Sequence, residues 1–390
     1  MSKRLLASSR LPVATIAFGV LAVVSVAGQG STTGAKTPPA RTTAASAPLK
    51  TPWGDPDIAG VWTSDSVNGI PMQRPPQFAG RAELNDEEFK QKVERDTRSR
   101  TAAENAVGSF RGDGAWLSKS FRQTSLIVEP ADGQLPPLTP DAEKRRAPRD
   151  QGTFGVGPFD STEDFTLYDR CITRGIVGSV LPVPYGNGNR ILQTPTEVVI
   201  SYEMIHDTRV IPISGRPHVG RNIRQYLGDS RGRWEGRTLV VETTNFTDRT
   251  SIGPNGNGLR HSADMTLVER FTRLEPDVLR YEITIDDPKT YTRPWTLLLP
   301  LTAPPGYYLL PYDCHEGNYM LGGVLSSERA EDRALEEDAK KGIVRPRKLV
   351  QGLSIGGTPL PENGGRGFGP GGPGGPGGPG GPGAEGGRGR

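Results

Sequence analysis

Cysteine, histidine and clustered charge are the scarce features of this 390-residue chain, which has two cysteines, four histidines and 7% aromatic residues. Two cysteines exclude a zinc framework of four thiolates, and they exclude a disulfide-dense scaffold. The histidines, His206, His218, His261 and His315, show no His-x-x-x-His spacing that would place two ligands on one helix face. Glycine-rich stretches such as Gly186-Asn187-Gly188-Asn189 lack the strand-then-helix context of a phosphate-binding loop, and Pro182, Pro184 and Pro195 around it oppose a helix. A basic surface is also missing. The formal net charge of +3 is matched by Lys3, Arg4 and Arg10 alone, so the rest of the chain is close to neutral and gives no argument for nucleic acid.

Those three basic residues open a pattern of their own. They precede an uncharged run from Leu11 to Ala27 that ends on the small residues Ser25 and Ala27, which is the form of a cleavable export signal over 1–27. The run is at the short limit for a membrane span and contains Pro12, so no span is expected after cleavage. The expected location is periplasmic or secreted. Residues 28–49 read as a Ser/Thr/Ala/Pro-rich disordered linker. Residues 354–390, with Pro370, Pro373, Pro376, Pro379 and Pro382 among glycines, read as a disordered tail that has nothing to bury against its ordering entropy.

Between them, 50–160 is charged and proline-rich and reads as an irregular, partly helical wrapping region. Its one strong helix signal begins at Asn85, where Glu88 three residues on completes a capping box. From 161 to 325 the texture is that of an antiparallel β domain. Strands are expected at Glu197–Met204, Thr208–Ile213, Thr238–Thr244, Met265–Leu274, Val278–Asp286, Trp295–Leu301 and Tyr307–Tyr312, with turn chemistry at Gly228–Gly232, Glu235-Gly236 and Glu275–Asp277. Residues 326–353 read as a charged helix, Ser326–Lys341, and an extension of the domain. The fold expected is mainly β, an antiparallel meander closing as a barrel or folding as a sandwich.

Several separated segments carry a resemblance. Trp53-Gly54-Asp55-Pro56-Asp57 leading to Gly60-Val61-Trp62, Ser125–Val128, Tyr168–Cys171, Trp234-Glu235-Gly236 with Thr238–Phe246, and Cys314-His315-Glu316 resemble a family of secreted proteins of soil bacteria. That family has no assigned function, so the resemblance transfers no catalytic residue. Gly60-Val61-Trp62 before a meander also resembles the start of a lipocalin-like barrel, which implies a tryptophan across the closed end.

Candidate chemistry is sparse. In an oxidising compartment Cys171 and Cys314 are expected to form a disulfide; the rival reading sets each thiol beside Arg174 or His315 as nucleophile or metal ligand. His261 with Asp264, and His315 with Glu316, are the catalytic candidates. The four histidines with Asp207, Asp264 and Glu316 could supply metal ligands, His206, His261 and His315 being the leading candidates, but neither metal nor cofactor is expected. Glu203, Glu242, Glu269, Glu282 and Asp286 read as solvent-face charges of a half-exposed sheet. Trp62, Trp234, Trp295 and Tyr308 are the candidate platforms for a ligand, with a core role expected for most aromatics. The leading expectation is an exported module binding a small apolar or carbohydrate ligand. An extracellular hydrolase using His and carboxylate groups, with or without metal, is the alternative. Oligomeric state stays open.

Overall fold

The computed structural model describes residues 49–104, 117–145, 157–183, 185–312 and 314–348. The expected export segment, the linker up to residue 48 and the Gly/Pro-rich tail lie outside them.

Among the described residues ten strands form one antiparallel sheet: β1 (Gly60–Thr63), β2 (Ile127–Glu129), β3 (Gly188–Gln193), β4 (Glu197–Tyr202), β5 (Thr208–Pro212), β6 (Asp229–Glu235), β7 (Thr238–Thr244), β8 (Thr266–Glu275), β9 (Val278–Asp286) and β10 (Trp295–Thr302). Their order is β5-β4-β3-β1-β10-β9-β8-β7-β6, with β2 paired to β10 off this path. Among the described residues four α-helices accompany the sheet: α1 (Asp86–Glu104), α2 (Pro140–Arg145), α3 (Gly175–Val180) and α4 (Met320–Lys340). Among the described residues no helix is long and apolar enough to cross a membrane.

Alternation drives the sheet. In β9, Leu279, Tyr281, Ile283 and Ile285 are buried, and they meet Leu267 and Phe271 of β8, Leu239 and Val241 of β7, and Leu297, Leu299 and Leu301 of β10 in one continuous core. The β8–β9 hairpin turns on Pro276-Asp277, with a register shift between Arg273 and Glu275. The capping box of α1 is present: Glu88 N donates to Asn85 Oδ1 at 2.9 Å and Asn85 N to Glu88 Oε2 at 2.9 Å.

Three local expectations are corrected. The stretch Gly228–Gly232 is not a turn, because β6 begins at Asp229. Its polar residues are satisfied within the sheet, Ser230 Oγ lying 2.9 Å from Thr243 Oγ1, and Gly232 makes room for the side chains of Ile211 and Ile213. Tyr307–Tyr312 is not a strand. The edge of β10 that it would pair with is taken by β1 at Thr302 and by β2 at Thr296 and Leu297, and the Leu310 amide donates instead to Glu203 Oε1 at 2.9 Å. The C-terminal helix starts six residues before Ser326, at Met320, and buries Leu325 and Glu328.

The sheet is not closed into a barrel. Its path ends at β5 and β6, with no ladder between these two edges. They do approach where Ile211 packs over Gly232: a Cβ there would stand 3.0 Å from Ile211 Cγ2. Trp62 is wholly buried, donates from Nε1 to Ile58 O at 3.0 Å, and lies under the Arg273 guanidinium, 5.1 Å from the ring centre. The short helix α3 is buried along its whole length. Its Gly178 packs so closely on the Gly253–Gly256 turn that a Cβ would stand 2.2 Å from Gly256 N.

Candidate functional site

The structure scatters the sequence-derived catalytic candidates. His261 is 2% exposed, whereas His206, His315 and Glu316 are exposed to differing degrees on the surface. Asp264 is engaged by Lys289 at 2.6 Å, and Arg224 lies 4.0 Å away. Among the described residues, no group of three or more His, Cys, Asp or Glu side chains could hold a metal ion. The two cysteines form the Cys171–Cys314 disulfide, so neither is a free thiol.

His261 packs edge-on against Phe246, accepts or donates at Nε2 with Thr250 Oγ1, and sets Nδ1 2.9 Å from Ser262 O. Burial lowers its pKa, against smaller raising effects from the Ser262 carbonyl and Asp287. The unfolded imidazole takes a proton near pH 6.5, and the folded one resists it until lower pH. Stability from this group is therefore complete above about pH 7 and is lost as pH falls below about 6.5 toward the folded pKa. Thermal unfolding at pH 7.5 and 5.5 is expected to show a steeper acid loss for the native protein than for His261→Gln; parallel losses would contradict the buried neutral imidazole.

The aromatic candidates divide. Trp62 and Trp295 are core residues, Trp295 meeting Tyr291 edge-on at 5.5 Å. Trp234 is partly buried against the core. Tyr308 is 64% exposed. Two carboxylates expected on the solvent face are corrected: Glu269 and Glu203 are 0% and 5% exposed. The alternation of β8 points Glu269 inward with Leu267 and Phe271. Glu203 accepts from Gly188 N, the Tyr307 hydroxyl and Leu310 N.

A different group of residues converges at the open seam between β5 and β6. A cleft of about 660 Å³ is lined there by Ile172 and Thr173, by Asp207–Val210, by Arg224–Ser230 and by Thr247. Asp207 follows Ile205 and His206, both left-handed at φ 65° and 59°, and its carbonyl accepts from Tyr202 N at 2.8 Å to close the β4–β5 turn. A β-branched residue in that conformation costs on the order of 1–3 kcal/mol and persists only where its surroundings enforce it.

Arg209 forms part of the cleft wall. Being 6% exposed, it clamps Glu269 with Nη1–Oε2 at 2.7 Å and Nη2–Oε1 at 2.5 Å. The Tyr281 hydroxyl donates to Glu269 Oε1 at 2.5 Å, and its ring stacks on Phe271. Burial, the largest single effect, would lower the guanidinium pKa, but the Glu269 charge and hydrogen bond, with Tyr202 and Tyr281, together outweigh it and raise it. Even so, Arg209 Nε, Asp207 Oδ2 and Thr247 Oγ1, one atom from each of three cleft-lining residues, are shut from solvent without a hydrogen-bond partner. Each such group costs about 1–3 kcal/mol, and native proteins keep few.

The cleft also holds two carboxyl groups in opposite electrostatic settings. Burial raises the Asp207 pKa, against a lowering contribution from the Thr173 hydroxyl. Burial also pushes Asp229 upward, but the Val219 amide, His218 and Arg231 outweigh it and hold its pKa low. These three donors lie at 3.0, 2.9 and 2.7 Å from its oxygens.

No protein-family model, curated protein or solved structure matches the chain. Of the cleft residues, Arg209 left a sequence signal, a charged residue at an inward position between two outward ones in Thr208-Arg209-Val210-Ile211. Thr247 and Asp229 left none.

Proposed function

We propose that the protein is an exported binding module that takes a polyhydroxylated ligand, a carbohydrate, in the cleft between β5 and β6. The observation that carries this reading is the polar, partly aromatic lining of an open cleft of about 660 Å³, in which Thr208, Arg224 and Gln225 are exposed and Tyr226 is half-buried. The Thr208 hydroxyl donates or accepts, the Arg224 guanidinium donates, and the Gln225 side-chain amide does both. A sugar hydroxyl is both donor and acceptor, so adjacent hydroxyls satisfy all three, and Tyr226 on the same wall offers a ring for a sugar face. The other branch, an apolar ligand inside the curved sheet, has less support, because Trp62, Tyr281, Leu299 and their neighbours fill that space. We read the sheet as an incompletely closed barrel with the cleft as its gap, and the soil-bacterial resemblance and the disulfide support an extracytoplasmic setting.

Calorimetric titration with cellohexaose, xylohexaose, mannohexaose, laminarihexaose and chitohexaose tests this. At least one is expected to bind saturably. Gln225→Ala removes the side-chain amide while leaving the backbone bond from its N to Asn245 O, and is expected to weaken that binding about tenfold, about 1.4 kcal/mol. Failure of all five to bind, or unchanged affinity in the variant, would overturn the reading.

A further inference from the structure

We infer that the carbohydrate is N-acetylated, its acetamido group meeting the free backbone edge of β5 at Thr208 and Val210 and its methyl resting on the Val210 side chain. This rests on the carbohydrate reading of the cleft and narrows it to one class of sugar.

The edge follows from the register. Tyr202 N donates to Asp207 O and Ile213 N to Thr196 O, both at 2.8 Å, and β4 pairs Ile200 with Arg209 and Val198 with Ile211. Backbone groups of an antiparallel strand face its neighbour at every second residue. Asp207, Arg209, Ile211 and Ile213 therefore turn theirs toward β4, and Thr208, Val210 and Pro212 turn theirs away, toward the seam. Pro212 has no N–H to give, and a strand tolerates proline where its N–H would face an unpaired edge. No ladder joins β5 to β6, so the N–H and C=O of Thr208 and Val210 open on the cleft that both residues line.

Such an edge pairs with amide groups. A peptide strand needs a longer one, and here the seam narrows past Val210, where Ile211 packs over Gly232. A single amide fits two residues. The side chains add a second requirement. Val210 is 50% exposed, on the same face of β5 as Thr208, and Ile172 and Leu227 are half-buried on the same cleft. Sugar hydroxyls leave such an aliphatic wall uncovered, whereas an acetamido group brings an amide N–H, a carbonyl and a methyl together.

Calorimetric titration of the full chain tests this with chitohexaose, cellohexaose, the β-1,4-linked glucosamine hexamer and acetyl-tetraalanine amide. Chitohexaose and cellohexaose share one backbone and differ only at C2. Chitohexaose is expected to bind at least about tenfold more tightly than the other three, the scale of one hydrogen bond with a covered methyl. Val210→Thr keeps the β-branched shape and the native circular dichroism but replaces one methyl by a hydroxyl, and is expected to weaken chitohexaose about fourfold. It should leave any cellohexaose binding within about twofold. Equal or tighter binding of any of the other four hexasaccharides, or of the glucosamine hexamer, overturns the inference and leaves the binding module standing. Equal binding of the peptide overturns it in favour of strand recognition, and unchanged chitohexaose affinity in Val210→Thr overturns it as well. If none of the five hexasaccharides binds, the carbohydrate reading fails and takes this inference with it.

Discussion

Replacing Glu269 by glutamine is expected to cost about 3–5 kcal/mol of folding stability, the scale of breaking a buried ion pair by removing one partner. The substitution keeps the shape and an oxygen for the Tyr281 hydroxyl, but it leaves the Arg209 guanidinium buried without its counter-charge. Glu269 is fully shielded and Arg209 nearly so, so water cannot replace the lost partner. A guanidinium also has no escape by losing its proton. The reciprocal change, Arg209→Met, strands a carboxylate, which does have an escape because it can take up a proton. The two variants therefore separate by pH. The deficit of Glu269→Gln should be the same at pH 5 and pH 8, whereas that of Arg209→Met should shrink at pH 5. The double variant Arg209→Met/Glu269→Leu removes both charges and is expected to recover most of the loss, as replaced buried pairs do. Urea unfolding of the four proteins measures this. A deficit below about 1 kcal/mol for Glu269→Gln would show that the pair is hydrated.

The same comparison bears on the cleft. If Arg209 serves only the fold, the double variant should bind the hexasaccharide as the native protein does. If it shapes the cleft wall that the ligand meets, affinity falls although stability is restored. Stability and binding thus move in opposite directions across one pair of substitutions, which a purely structural role would not produce.

Much of the sheet was legible in the sequence because its strands obey simple alternation. Glu197–Tyr202, Thr238–Thr244 and the β8–β9 hairpin carry β-branched or apolar residues at every second position and end on tight turns. The failures share one cause. Asp229, Ser230 and Gly232 have turn propensity, yet they form β6 because His218, Arg231 and Thr243 satisfy their side chains and Ile211 needs the space over the glycine. Tyr307–Tyr312 has strand propensity, yet no free edge remains for it beside β10. Local preference was overruled by tertiary partners in both cases. The cleft was less legible still. Its walls come from residues 172–173, 207–210, 224–230 and 247, and no motif joins segments that meet only because β5 and β6 end the sheet on facing edges.

Breaking the Cys171–Cys314 bridge is expected to be as costly. The cysteines are 143 residues apart, and the loop they close contains α3 and every strand from β3 to β10. In the chain-entropy model a loop of that length lowers the free energy of the folded state relative to the unfolded chain by about 5 kcal/mol. The double variant Cys171→Ser/Cys314→Ser should lose that amount in urea unfolding, and reduction of the native protein should reproduce it. The segment holding Cys314 has other attachments: Tyr307 donates to Glu203 at 2.6 Å and Asn318 Nδ2 donates to Asp169 O at 2.6 Å. These are expected to keep the native sheet in place without the bridge, so the circular dichroism of the folded variant should be unchanged. Cys171 itself, left-handed at φ 56°, directly precedes Ile172 and Thr173 on the cleft wall. Loosening it should therefore weaken hexasaccharide binding, whereas removing the distant α1 cap with Asn85→Ala should not. A bridge variant with native affinity would mean that Thr173 is positioned by its own bond to Gly175 N, 2.9 Å, and the disulfide would then act on the unfolded chain alone.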